Sequence, residues 1–295
     1  MKQTLFDKVF DYYFNNYKKL LILPIIVLLL LISSIIYTKA TTGEYVQKDI
    51  SLTGGVSVII NTNQEIDVTD LQNRFELNEV RFLREFTTQE ITGIEILNQE
   101  QINTQEILDY LNSKGIIVTS EDLNVLFVSS VLANTFIKQA TITLLISFLL
   151  MSLVIYFYFR NWLSAASIVL STVSDVIGVI ALMNILGIKL GIASIGAILM
   201  LIGYSSDSDV LLATKIIREK DQPLKVRMKQ ALKTELTMDF AAIAVFSTMA
   251  FVSNNSIIKE IGIVLLFGIF FDFFNTWIQN ASVQRWFVYE RGKKQ

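Results

Sequence analysis

Long apolar runs, almost free of charged residues, recur along this 295-residue chain. Such a run of about 18 or more residues is typical of a helix that crosses a lipid bilayer. The six runs are Leu20 to Tyr37, 137/141 to 159, Leu163 to Leu186, Leu190 to Thr214, Thr237 to Val252, and Ile257 to 274–278. Only 18% of the residues are charged, against about 25% in a soluble protein. A soluble enzyme is therefore excluded.

The segment 40–136 is different in kind. It contains fifteen acidic and five basic residues, a net charge of -10. Strands are predicted at Val56 to Thr62, Glu79 to Thr87, Glu90 to Leu97 and Ile116–Val118, and helices at Val68–Phe75 and Thr104–Lys114. This β-α-β-β-α-β order is the split βαβ, or ferredoxin-like, pattern of an α+β domain. Gly54-Gly55 is interpreted as a turn of positive φ that opens the first strand.

Charge asymmetry predicts the orientation of the spans. The N-terminus is basic, the segment Lys215–Glu235 holds seven basic residues against three acidic ones, and the tail is basic. Basic segments remain in the cytoplasm, so both termini are expected there and the acidic segment outside. The predicted organisation is 1–39, cytoplasmic N-terminus and helix 1; 40–136, extracytoplasmic domain; 137–280, transmembrane helices 2–6; and 281–295, cytoplasmic basic tail.

The chain contains neither cysteine nor histidine. Disulfides, thiolate nucleophiles and the commonest zinc ligands are thus absent from its chemistry. It also has no phosphate-binding loop of the G-x-x-x-x-G-K-[ST] type. We expect no enzyme activity, catalytic residue, metal or cofactor, and no nucleic-acid partner.

Five aspartates lie within the predicted spans; Asp239 opens the fifth, and the four site candidates are Asp175, Asp207, Asp209 and Asp272. One such residue at mid-helix costs about 2.5–3.5 kcal/mol on insertion scales. No Lys or Arg lies deep in a span to pair with them. They are candidates for titration or ion binding, and the alternative is a neutral, hydrogen-bonded packing role.

Two of these candidates have expected neighbours within their own helix. Gly196, Gly203 and Asp207 fall on one stripe of the fourth span, which predicts close helix packing with Asp207 in the contact. Asp209 lies about 200° away at 100° per residue. Ser171 and Ser174 are possible partners of Asp175, and Asp239 is interpreted as a cap-like residue that opens the fifth span.

Several local motifs resemble one family. They are Leu52-Thr53-Gly54-Gly55, the segment from Val128 to Ala140, Ser174-Asp175, the run Leu201 to Asp209, Leu236-Thr237-Met238, and the run Asp272 to Ala281. Together they resemble the archaeal SecF group of the SecD/SecF protein-export family, relatives of RND-type transporters, over nearly the whole chain. The chain departs from that pattern at two places. Ser51 stands where relatives carry Asp, and the stretch Thr237 to Asp239 stands where bacterial relatives carry Arg.

The resemblance implies an RND-like half with six transmembrane helices and one ferredoxin-like domain between helices 1 and 2. It implies a non-enzymatic Sec accessory subunit of the cell membrane, acting with a SecD-like six-span subunit, the Sec translocation channel and an exported polypeptide. Coupling to an ion gradient through intramembrane carboxylates would follow. One alternative is an RND-type ion-coupled transporter of small solutes or lipids, and another is a scaffold without coupling.

Overall fold

The computed structural model describes residues 5–84, 90–253 and 255–286. The hairpin turn predicted near Thr87 and the tail residues Arg291, Lys293 and Lys294 lie outside this description. The helices are α1 (Leu5–Leu20), α2 (Ile22–Thr42), α3 (Ile50–Thr53), α4 (Val68–Arg74), α5 (Thr104–Ser113), α6 (Ser130–Phe159), α7 (Trp162–Leu186), α8 (Ile192–Ala213), α9 (Leu224–Phe251), α10 (Ser256–Phe274) and α11 (Ala281–Val283). The strands are β1 (Gly55–Asn61), β2 (Glu79–Arg84), β3 (Ile91–Asn98) and β4 (Leu123–Val128).

The fold is largely helical. Among the described residues, five helices are long and apolar enough to cross a membrane. They are Ile22–Thr42, Ala133–Phe159, Trp162–Leu186, Ile192–Arg218 and Leu224–Phe251. The long helix α10 is not among the five, and it carries Lys259, Glu260 and Asp272. It packs against α7, α8 and α9, and these contacts build the centre of the bundle.

The chain between α8 and α9 is more helical than the sequence predicts. A π-helical segment, Thr214–Arg218, continues α8, and α9 begins at Leu224, directly after Pro223. Arg227 is 2% exposed and donates hydrogen bonds to the carbonyls of Lys215 (2.5 Å) and Gln222 (2.9 Å). Such bonds satisfy carbonyl groups that a helix end leaves without partners. The predicted basic loop is therefore mostly helix.

The chain between α2 and α6 forms a four-stranded antiparallel sheet. Its strand order is β2-β3-β1-β4. The side chains of alternate β1 residues (Val56, Val58 and Ile60) are buried with Leu71 of α4 and Ile107 of α5. Asp67 caps α4 by accepting hydrogen bonds from the N–H groups of Thr69 and Asp70, each 3.0 Å long. We call residues 55–128 the sheet unit.

The last strand differs from the prediction. Ile116–Val118 form no strand; Ile116 and Val118 are instead buried in the core of the sheet unit. The fourth strand is β4, which pairs with β1 from Leu123 to Val128. Short β-branched runs are ambiguous because pairing, a tertiary property, decides which of them becomes a strand.

Hydrogen bonds join the segment that precedes the sheet unit to the helical bundle. The Leu190 N–H, in the α7–α8 connection, donates to the Gln47 carbonyl (2.7 Å). The Asp49 N–H donates to the Leu190 carbonyl (2.9 Å). The Asn184 side-chain amide donates to the Tyr45 carbonyl (2.9 Å). These bonds attach the segment before β1 to the end of α7 and the start of α8.

Candidate functional site

Three of the four intramembrane candidates meet inside the bundle. Asp175 of α7, Asp209 of α8 and Asp272 of α10 are each 0% exposed. None of the ion pairs in the described part of the chain involves them. An unpaired charge in such an interior costs several kcal/mol. We call these three residues the acid cluster.

Asp175 has hydrogen bonds at both carboxyl oxygens. The Ser205 hydroxyl contacts Oδ2 at 2.6 Å, and the Asn275 amide donates to Oδ1 at 2.7 Å. Of the predicted partners, Ser174 donates instead to the Leu170 carbonyl (2.7 Å). The hydroxyl of Ser171 has no hydrogen-bond partner in the described residues. The prediction of Ser171 and Ser174 as partners is therefore wrong, and the partners come from α8 and from the segment after α10.

Asp209 and Asp272 are linked through one hydroxyl group. Thr276 Oγ1 lies 2.8 Å from Asp209 Oδ1 and 3.2 Å from Asp272 Oδ1. The side-chain NH₂ group of Asn280 also donates to Asp209 Oδ1 (2.8 Å), and the Ser167 hydroxyl donates to the side-chain oxygen Oδ1 of Asn280 (2.6 Å). This network joins α7, α8 and α10 through polar side chains.

The single hydroxyl group of Thr276 lies between two carboxyl groups. A hydroxyl has one hydrogen to donate, whereas both neighbours are acceptors when ionised. The second oxygens, Oδ2 of Asp209 and Oδ2 of Asp272, are buried without a hydrogen-bond partner in the described residues. Because no ion pair among the described residues involves the acid cluster, a proton or a small cation between the two carboxyl groups can balance the charge.

A π-helical segment supplies most of the bridging side chains. It runs over Asn275–Asn280 and directly continues α10. Such wide turns are frequent at functional sites. Asn275, Thr276 and Asn280 were not among the site residues predicted from the sequence. Three hydrogen-bonding side chains at the end of an apolar run were the available signal.

The fourth candidate, Asp207, lies elsewhere. Asp207, Gly196 and Gly203 are exposed on the outer face of α8. A Cβ atom added at Gly196 or Gly203 would meet nothing within 4 Å. Within this chain, the prediction of a helix contact along that stripe is therefore wrong. The buried face of α8 is the opposite one, which carries Asp209.

Other glycines mark the close helix contacts. A Cβ at Gly178 of α7 would lie 2.6 Å from the ring of Phe271. One at Gly262 of α10 would lie 2.6 Å from the backbone nitrogen of Ala250 in α9. Absent side chains at these positions allow α10 to approach its neighbours.

Two further acids lie on α9. Glu235 is 0% exposed, and neither of its carboxyl oxygens has a hydrogen-bond partner among the described residues. Asp239 is 4% exposed and accepts a hydrogen bond from Tyr204 of α8 (2.7 Å). Asp239 lies inside α9, so its interpretation as a cap-like residue is wrong. Glu235 and Asp239 are four residues apart, so they share one face of a helix. That spacing could have identified Glu235, but the sequence placed Glu235 in a predicted loop.

The sheet unit has its own polar features. Gly54 and Gly55 have φ values of 80° and 142° and lead into β1, the geometry expected of a turn that opens a strand. On the helix side, Asp70 accepts hydrogen bonds from Tyr110 and Lys114, which hold the pKa of its carboxyl group below the usual value. The Lys114 Nζ lies 3.2 Å from Asp70 Oδ2.

Sequence comparisons give one consistent family. The family described as "Protein export membrane protein SecD/SecF, C-terminal" matches residues 111–290. The protein-export membrane protein SecF of Methanocaldococcus jannaschii is 31% identical over 84% of this chain and 90% of the relative. SecF of Pyrococcus furiosus is 39% identical over 54% of this chain and 53% of the relative.

Solved structures share the fold. SecDF from Thermus thermophilus, described as a translocon-associated membrane protein, matches with a TM-score of 0.68 and 19% identity. The match covers 93% of this chain but only 38% of that one. A second SecDF structure, in a super-membrane-facing form, matches with a TM-score of 0.61 and 15% identity. At such identities the likeness concerns the fold alone.

Proposed function

Because the chain belongs to the SecD/SecF family of protein-export membrane proteins, we propose that it is an accessory subunit of Sec protein export. It acts with a SecD-like six-span subunit beside the Sec translocation channel in the cell membrane. Its substrate is a polypeptide in transit. The SecF relatives and the SecDF fold support this role.

The proposed topology has six spans. Five are the helices that meet the length and apolarity of a span, and α10 is the sixth. Six spans leave both termini on one side, and the basic segments place that side in the cytoplasm. The segment 40–136 then lies outside as a ferredoxin-like domain, consistent with the antiparallel order β2-β3-β1-β4 and the two helices packed on the sheet.

One observation carries the proposed ion coupling: Asp209 and Asp272 share the single hydroxyl of Thr276 inside an interior without paired basic residues. Loading a proton or cation there changes which carboxyl oxygen accepts that hydrogen. The hydrogen bonds between α8 and the segment after α10 then rearrange. The acid cluster thus acts as an ion-sensitive joint between helices.

The contacts at the outer end of the bundle provide the mechanical connection. Glu260 of α10 accepts a hydrogen bond from the Ser194 N–H at the start of α8 (3.0 Å). Leu190, just before α8, is bonded to Gln47 and Asp49, which precede the sheet unit. A shift of α8 relative to α10 would therefore be transmitted to the extracytoplasmic domain. That domain would then change its position relative to the polypeptide in transit.

Export measured under an imposed gradient tests the coupling. In membrane vesicles that carry the complete export complex, Asp272→Asn is expected to abolish stimulation by a proton or sodium gradient. Asp221→Asn, in the exposed loop before α9, is the matched control and keeps full stimulation. Unchanged stimulation in Asp175→Asn, Asp209→Asn and Asp272→Asn alike would refute ion coupling.

Association is tested separately. Purification of the tagged chain from its native membrane in mild detergent is expected to recover a second six-span subunit. A homo-oligomer without that subunit would contradict the export role and favour a stand-alone transporter of small solutes or lipids.

A further inference from the structure

Glu235 is a buried acid between the acid cluster and the cytoplasmic end of the bundle. Helix α9 begins at Leu224, and Glu235 lies about three turns farther along it. Its carboxyl group interacts electrostatically with Asp239, one turn deeper on the same helix, and with Asp272 of the acid cluster. No ion pair of the described residues involves Glu235. The side chain therefore has acidic neighbours and no paired base.

The π-helical segment connects Glu235 with the acid cluster. Trp277 directly follows Thr276, whose hydroxyl group lies between two carboxyl groups of that cluster. The Trp277 indole lies beside the Glu235 carboxyl group. Its nitrogen and both Glu235 oxygens are nevertheless buried without a hydrogen-bond partner in the described residues. Because buried donors and acceptors are almost always paired, this arrangement points to a carboxyl group whose hydrogen bonds change with its protonation state.

Helix α1 packs over this end of the bundle. Phe10 is buried in one apolar cluster with Trp277 and with Ala231, which lies one turn before Glu235 on α9. The Tyr13 hydroxyl donates to the Trp277 carbonyl (2.7 Å), and Tyr13 also interacts electrostatically with Glu235. In the proposed topology, α1 therefore lies between Glu235 and the cytoplasm.

Two ion pairs attach α1 to the first turns of α9. The Lys225 Nζ lies 2.6 Å from Asp11 Oδ1, and Lys229 pairs with Asp7. The four side chains are 28% to 46% exposed, so water and salt weaken both pairs. These pairs contribute a small and adjustable part of the attachment of α1.

We propose that Glu235 passes protons from the acid cluster to the cytoplasm, beneath α1. This inference rests on the proposed function, and it selects the proton among the ions considered there. A metal cation would need several oxygen ligands, whereas the indole beside Glu235 is a hydrogen-bond donor. A proton needs only the carboxyl group itself.

Each transfer step conserves charge. At rest Glu235 is neutral, because an unpaired charge in the interior is unfavourable. It releases its proton to cytoplasmic water and becomes a carboxylate, and Asp272 then gives its own proton to Glu235. A proton from the outer side reloads Asp272. The ionisable groups that interact with Glu235 are Tyr13 on α1, Tyr204 and Asp209 on α8, Asp239 on α9 and Asp272 on α10, and Arg285 interacts with Tyr13.

Export under an imposed proton gradient tests this role. In membrane vesicles that carry the complete export complex, Glu235→Gln is expected to reduce stimulation by the gradient at least tenfold, because an amide cannot release and accept the proton. Glu235→Asp keeps a titratable carboxyl group and is expected to retain part of the stimulation. Glu219→Gln, half-exposed just before α9, is the matched control and keeps full stimulation.

Asp272→Asn, measured in the same vesicles, separates this inference from the proposed function. Full stimulation in Glu235→Gln together with none in Asp272→Asn would overturn the role of Glu235 and leave ion coupling intact. Full stimulation in Glu235→Gln and in all three acid-cluster variants would refute the coupling itself. Equal loss in Glu235→Gln and Glu235→Asp would show that the carboxyl group is not what this position supplies, and would overturn the proton-transfer role.

Labelling with an apolar carbodiimide tests the protonation of Glu235 and its cover. This reagent modifies protonated carboxyl groups. In the purified full chain at neutral pH, mass spectrometry is expected to find Glu235 labelled roughly fivefold faster when Asp7→Asn and Asp11→Asn together remove both ion pairs. Asn15→Ala, on the exposed face of α1, is the control and keeps the wild-type rate. No labelling of Glu235 in any of these chains, or equal rates in the double variant and the wild type, would overturn the route beneath α1.

Discussion

Replacing Asp209 in two ways separates its role in packing from its role in ion coupling. Its Oδ1 atom accepts hydrogen bonds from Thr276 and Asn280, each 2.8 Å long, while Oδ2 has no partner in the described residues. Asp209→Asn keeps one carbonyl oxygen in nearly the same volume, so both donors can retain their acceptor. Asp209→Ala removes the acceptor and leaves both donors buried.

The expected energies follow from these contacts. Hydrogen bonds between membrane helices contribute about 0.6 kcal/mol on average and up to about 1.7 kcal/mol. Losing two of them predicts that Asp209→Ala lowers the free energy of unfolding by about 1–3 kcal/mol. Asp209→Asn is expected to stay within about 1 kcal/mol of the wild-type chain, because it removes a carboxyl group that no basic residue balances.

A thermal or denaturant titration of the purified chain in mild detergent measures the free energy of unfolding of both variants. Asp207→Asn and Asp207→Ala are the matched controls two residues away. They face outward and are expected to leave the stability of the isolated chain unchanged. If Asp209→Asn and Asp209→Ala destabilise equally, the two bonds to Oδ1 are not what holds this residue. If Asp209→Ala has no effect, the network does not stabilise the bundle.

Three further predictions test other parts of the structure. Gly262→Ala is expected to destabilise the purified chain by about 1–3 kcal/mol in the same unfolding titration, because the added methyl group meets the α9 backbone. Gly196→Ala is the control and is expected to be neutral. Equal effects of the two variants would contradict the α9–α10 contact. Asp70, whose pKa is lowered chiefly by Tyr110, stabilises the folded unit above its unfolded pKa and loses this contribution as the pH falls through the folded pKa. Hydrogen exchange in the sheet unit should therefore separate wild type from Asp70→Asn at neutral pH and converge in acid; a constant difference would contradict this. Arg227→Lys is expected to lower the free energy of unfolding by about 1–3 kcal/mol and to speed proteolysis of the loop 219–223. The reason is that one ammonium group cannot reach all the carbonyls that the guanidinium contacts. An unchanged cleavage rate would refute that role of Arg227.

Local sequence patterns predicted five of the long apolar helices and most of the sheet unit. Apolar runs of span length can be recognised without tertiary information because the thickness of the bilayer fixes their length. The sheet unit was also readable up to Gly115, since alternation, caps and helix-ending residues are local properties. The helices at Val68–Arg74 and Thr104–Ser113 and the first three strands lie close to their predicted positions.

Which face of each long apolar helix is buried depends on how the helices pack together. In a soluble helix the polar face identifies the outside, but a helix in lipid is apolar all round, so periodicity cannot distinguish its faces. The small residues of the stripe through Gly203 and Asp207 therefore predicted the wrong buried side of α8, and the structure buries the face with Asp209. Packing of α10 buries Asp209 and brings it to Thr276, 67 positions away. Neither local propensity nor spacing contains that contact, because it depends on how three separate helices pack together.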